Sequence, residues 1–100
     1  LRAVRTRSAA DAAAAVERLY HIIDGEIEAL EFIVRQGDRV IGAPLMEMSL
    51  RPAALIAVIV RDGQVYIPAG RDALREGDRV IVMVKGGGVE RLDDILAEQS

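Results

Sequence analysis

The sequence predicts an α+β domain: a two-layer, roughly four-stranded, mostly antiparallel sheet with helices on one face, preceded by an N-terminal linking helix. Three observations carry this expectation. Residues 55–60 form an unbroken aliphatic run, followed by Asp62-Gly63 and a return at Val65-Tyr66-Ile67. An Asp-Gly pair between two such runs supplies the positive φ angles of a tight hairpin. Residues 79–84 repeat the strand pattern, and an alanine-rich segment near the start places apolar residues at helical spacing.

Along the chain, residues 1–7 carry three arginines and no acidic residue and read as a connector. Ser8 and Asp11 have the spacing of a helix-capping pair. A helix over 8–23 then aligns Ala12, Ala15, Val16, Leu19, Ile22 and Ile23 on one face, and Asp24-Gly25 stops it. Residues 26–34 read as a strand whose alternation is imperfect, closed by a Gly37-Asp38 turn. Pro44, favourable at a first helical position, opens a short helix with Leu45 and Met48 on one face. The 55–67 hairpin follows, and Pro68 ends it because proline cannot donate to a ladder. Residues 73–76 give one turn capped by Gly77, 79–84 a strand, and 86–88 a glycine link. A last helix over 89–97 turns Val89, Leu92, Ile95 and Leu96 inward. These elements divide the chain into a linker and helix at 1–25 and a folded domain at 26–100.

Composition excludes several classes. The chain has 100 residues, enough for one domain. Hydrophobic residues make up 51% and only Tyr20, Phe32 and Tyr66 are aromatic, so the core is aliphatic. The net charge of −3, with no basic stripe and no stacking platform, argues against DNA or RNA as partner. There is no cysteine for disulfides or thiolate metal sites. The longest apolar run, 53–60, is far short of the ~20 residues of a membrane span, so no direct membrane insertion is expected.

No reactive constellation stands out. His21 is the sole histidine, and catalysis or metal binding needs partners. Asp93 and Asp94 diverge on a helix, while Glu26 and Glu28 share a strand face that solvent explains. Ser8, Ser49 and Ser100 have no neighbouring base. Gly86–Gly88 lacks the Lys and Ser/Thr of a phosphate loop. Arg61, Arg71 and Arg75 are turn-proximal cations suited either to an anionic effector or to plain solvation. No catalytic, metal or cofactor residue is assigned, and an enzyme is not expected. The pentapeptide Gly-Asp-Arg-Val-Ile occurs at 37–41 and at 77–81. It is either a duplicated βα unit or a good turn followed by a good strand start.

Several segments, in order, resemble the TrkA C-terminal (RCK_C) domain. They are Gly42-Ala43-Pro44-Leu45 with Met48 and Leu50, the 56–63 strand and turn, Val65-Tyr66-Ile67-Pro68, and Leu74 followed by Gly77-Asp78 and Val80. The resemblance covers about residues 26–85 and casts the helix at 8–23 as the family's linking helix. It implies a cytoplasmic ligand-sensing and dimerisation domain at the inner face of the membrane, controlling a potassium or other cation transporter or channel. It also implies a small effector, a cyclic dinucleotide in some members. No Gly-x-Gly-x-x-Gly occurs, so a Rossmann-type nucleotide site is not assigned to these residues. The residues expected to line a ligand groove or dimer seam are Val40, Ile41, Ile56, Val58, Arg61, Tyr66, Ile67 and Pro68, apolar with few polar anchors. The rival expectation is a purely structural homo-oligomerisation module of a membrane transport protein, with no small ligand.

Overall fold

The computed structural model describes residues 2–4 and 15–97. Among them, six strands form one antiparallel sheet: β1 (Arg2–Val4), β2 (Arg18–Ile22), β3 (Ile27–Ile33), β4 (Ala54–Arg61), β5 (Gln64–Tyr66) and β6 (Arg79–Lys85). Their spatial order is β1-β2-β3-β6-β4-β5, so β2 to β6 make the body and the three-residue β1 lies on one edge. The last strand in sequence among the described residues, β6, is central. Its alternate residues Val80, Val82 and Val84 point to the core, opposite Phe32, Leu30 and Glu28 of β3 and Ile59, Ile56 and Ala54 of β4. A register shift between Ile56 and Val58 re-phases β4, so that both Ile56 and Ile59 face inward.

The expected layer of helices is not there. Helical structure among the described residues amounts to two 3-10 turns, Leu45–Glu47 and Leu92–Ile95. The core face is closed instead by irregular segments that contribute Val16, Val40, Leu74, Val89, Leu92 and Ile95. The fold is therefore a single antiparallel sheet roofed by loops and turns, and the two-layer α+β expectation is corrected to that.

Each correction has a physical cause. The expected helix at 8–23 falls partly outside the described residues, at 8–14. Within them, residues 18–22 are strand β2, paired with both β1 and β3. Leu19 suits a helix face and also an inward strand position. Tyr20 and Ile22 favour the strand, and pairing along all of β2 outweighs local helix propensity. Asp24-Gly25, expected to stop a helix, is a hairpin turn like Asp62-Gly63. In both pairs the two residues have positive φ, 53° and 84° in the first and 52° and 76° in the second. The expected helix after Pro44 is held to one 3-10 turn by its surroundings. Leu45 N–H donates to Asp72 O and Met46 N–H to Gly70 O, while Leu50 bridges Leu96 at the other end. The last segment buries Val89, Leu92 and Ile95 as expected. It does not continue as a helix because Arg51 N–H donates to Ile95 O and Ala97 N–H to Ser49 O.

The repeated pentapeptide makes the same turn twice. In each copy the Asp N–H donates 3.1 Å to the carbonyl three residues back, and one Asp carboxylate oxygen accepts that residue's N–H. The Gly φ angles are 99° and 90°. Beyond the turn the copies part: the second runs into β6, while the first turns again at Ile41. The turns also dock on each other's flanks. Val34 N–H donates to Asp78 O, Gly77 N–H to Val34 O, and Gly42 N–H to Leu74 O.

Ile23 sits in the first hairpin turn at φ 56° with its side chain exposed. A β-branched residue there is strained. Ile23→Asn is expected to stabilise the domain by about 1 kcal/mol, read as a higher urea midpoint; an unchanged or lower midpoint contradicts this account of the turn.

Candidate functional site

The most tightly held polar group in the described chain is Asp78, 2% exposed. Arg61, at the end of β4, donates to it through Nε (2.8 Å to Oδ1) and Nη2 (2.7 Å to Oδ2), and Arg75 N–H adds a third bond of 2.9 Å to Oδ2. Arg61 Nη2 also donates 2.9 Å to Ala73 O, and its guanidinium lies 5.7 Å over the Tyr66 ring. Burial works to raise the Asp78 carboxyl. The bonds from Arg61 and the Arg75 N–H outweigh it and hold the group below the usual carboxylate range. The Asp78 hydrogen bond, opposed by burial, pushes the Arg61 guanidinium further up, so it stays charged. Arg61 is thus committed to the fold.

A second grouping, of five charged side chains, lies at the loop end of the core face. Arg39, Arg51, Glu90, Asp93 and Asp94 border a cleft of about 600 Å³, completed by Gly88, Leu96 and Ala97. Two aspartates spend themselves on building it. Asp93 accepts the Arg39 N–H on both carboxylate oxygens, at 2.9 and 3.0 Å. Asp94 accepts the N–H groups of Glu90 and Arg91. Arg51 Nη2 donates 2.6 Å to Gly87 O. A Cβ placed at Gly88 would come within 3.4 Å of the Arg51 guanidinium, so the glycine allows that approach. The Arg39 guanidinium pairs with none of the described residues. The cleft therefore offers two cations for an anion, a carboxylate at Glu90 for a donor, and an apolar patch at Leu96 and Ala97.

The eight residues expected from sequence do not gather in one place. Val40 and Ile56 are in the core. Ile41 is half-buried and bridges Leu74. Val58 is half-buried on the sheet face opposite the core. Arg61 and Tyr66 are brought together, Pro68 is half-buried, and Ile67 is 82% exposed. Neither this cleft nor the smaller cavity between Gly25 and Gly87 is lined by any of the eight. Sequence reasoning missed Arg39 and Arg51. Arg39 sits inside the repeated pentapeptide, the one local signal, and Arg51 has none beyond its neighbour Pro52. No group of three or more metal-ligating side chains occurs among the described residues. No described helix is long and apolar enough to cross a membrane.

The described residues thus form a single antiparallel sheet domain whose buried polar groups are spent on structure and whose clefts carry charge of both signs without a metal-ligating cluster. The family model for the TrkA-C domain matches residues 29–97, and the chain belongs to that family; it is a non-catalytic regulatory module. It is 37% identical over 71 residues to a Trk system potassium uptake protein TrkA homolog of Archaeoglobus fulgidus, covering 71% of this chain and 16% of that protein. It is 29% identical over 80 residues to TrkA homolog 2 of Methanosarcina mazei, covering 80% of this chain and 18% of the relative. To the Trk system potassium uptake protein TrkA of Azorhizobium caulinodans it is 25% identical over 80 residues, again 80% of this chain and 18% of the relative. The chain thus spans less than a fifth of the length of these relatives.

The Asp78 pairing carries a pH dependence. Its pKa is depressed in the folded state, so its contribution is complete above about pH 4, the unfolded carboxylate value, and is lost as pH falls through the lower folded value. Asp78→Asn should lose about 3 kcal/mol at neutral pH and show a shallower fall in stability below pH 4 in urea titrations. A variant as stable as the parent, with the same acid limb, contradicts the assignment.

Proposed function

We propose that this chain is the effector-sensing and pairing domain of a regulator of potassium or other cation uptake, working at the cytoplasmic face of the membrane through a transporter or channel subunit. The observation that carries the effector half is the cleft with two guanidinium groups, one of them unpaired with the described residues. A phosphate suits Arg39 and Arg51 because guanidinium binds phosphate oxygens in a fork. An amino-bearing ring suits Glu90 above the apolar patch of Leu96 and Ala97. A cyclic dinucleotide combines these features and is the proposed effector class. The names of the relatives, potassium uptake proteins, support the choice of ion.

The domain acts as a homodimer in this proposal. Of the residues expected at a seam or groove, Ile67 is exposed, and Val58, Pro68, Tyr66 and Ile41 are half-buried, with Val58 on the sheet face opposite the core. An effector then works by binding one arrangement of the two copies better than another. The rival reading, a structural oligomerisation module with no small ligand, draws on the wide apolar sheet face.

Thermal unfolding with a cyclic dinucleotide separates the readings. The effector reading expects the midpoint to rise with ligand concentration, and the rise to shrink in both Arg39→Ala and Arg51→Ala. Arg39 is exposed, so its variant tests the cleft without touching the fold. No shift at millimolar nucleotide, with a dimer present, overturns the effector reading in favour of the structural one.

A further inference from the structure

The sheet face opposite the core carries adjacent apolar side chains, while the roofing residues Val16, Val40, Leu74, Val89, Leu92 and Ile95 pack into the core cluster on the other side. Two adjacent rows run across it: Tyr20, Ala29, Met83 and Leu55, then Arg18, Glu31, Ile81 and Val58. Leu55 is 54% exposed. Charges interrupt the face at Arg18, Glu31 and Arg79, which are matched to one another, and at its far end at exposed Lys85, which lies over Ile27 rather than a like charge in the pairing below. Glu31, only 6% exposed, accepts from Arg79 at 2.7 Å and lies 3.5 Å from Arg18. A face meant for water has no need of a carboxylate neutralised so completely. A face meant to be covered does, because an unmatched charge is costly to bury.

We infer that this face packs against the same face of a second copy, with a two-fold axis running along the strands between β3 and β6. This rests on the pairing proposed above and names its surface. The register makes the face self-complementary about that axis. Ala29 of one copy lies over Met83 of the other, small against large, and Tyr20 lies over Leu55. Glu31 lies over Ile81 and Arg18 over Val58, so no like charges meet. The patch spans roughly 19 Å across five strands and 23 Å along a seven-residue strand. Stacking two removes on the order of 1,000 Å² of accessible surface, the scale of a specific interface. Lateral growth of the sheet is poorly served, since the edge strands β1 and β5 have three residues each.

Sedimentation of the full chain from micromolar to near-millimolar concentration tests this with no ligand added, so failure of the effector reading leaves the result untouched. The chain should dimerise, and Leu55→Asp should weaken the dimer about tenfold or more. Ile81→Thr, which keeps strand propensity, should weaken it too and serves if Leu55→Asp does not fold. Met46→Asp makes the same kind of change at a residue 70% exposed in the Leu45–Glu47 turn and should leave the dimer intact. A folded chain that stays monomeric overturns the inference. So does a dimer indifferent to Leu55→Asp and Ile81→Thr, or one lost equally in Met46→Asp.

Discussion

One carboxylate, that of Asp78, ties the end of β4 to the irregular segment that leads into β6. Arg61 brings the end of β4, Arg75 the start of the turn before β6, and the Arg61 bond to Ala73 O the segment running back toward residue 70. Asp78 O in turn receives Val34 N–H at the end of β3. A buried negative charge is tolerated only when its lone pairs are filled, and here they are filled by groups whose positions define the roof of the core. The side chains packed beneath, Val34, Leu74 and Val80, lie within a few residues of these donors and acceptors and are all buried. Polar matching and apolar packing thus depend on the same turn.

Because the roof is made of loops, the cleft is made of loops as well. Aspartates at loop positions take the place that helix caps would have had: Asp38, Asp72, Asp78, Asp93 and Asp94 each accept a backbone N–H. Their carboxylates satisfy donors that no ladder reaches. Asp93 and Asp94 fix the backbone on either side of the two-arginine cleft, so its rim is set by the same device that sets the core turns. That leaves Arg39, Arg51 and Glu90 to supply the cleft's remaining charge.

Much of the sheet was legible in the sequence. The 55–67 hairpin, β3 and β6 follow from alternation and an Asp-Gly signal, and Leu92 and Ile95 are inward whether the segment is read as helix or turn. The helices were not legible as absent, because Leu45/Met48 and Val89/Leu92 spacing fits a helix and a 3-10 turn alike, and what decides is bonding to residues 70, 72, 49 and 51, far away in sequence. Asp24-Gly25 was harder to read than Asp62-Gly63 because an alanine-rich run stands before it. The structural role of Arg61 was hidden for a similar reason: its partner Asp78 is 17 residues away and only the folded chain brings them together. Arg39 and Arg51 share that limit, meeting only across the 87–97 segment.

A double-mutant cycle on Arg61 and Asp78, with stability taken from urea unfolding, measures the central interaction most directly. If the pair organises the roof, Arg61→Leu and Asp78→Leu together cost less than the sum of the two single changes, with a coupling of about 2 kcal/mol or more. Losses that add to within about 0.5 kcal/mol would show two independent side chains and contradict the account.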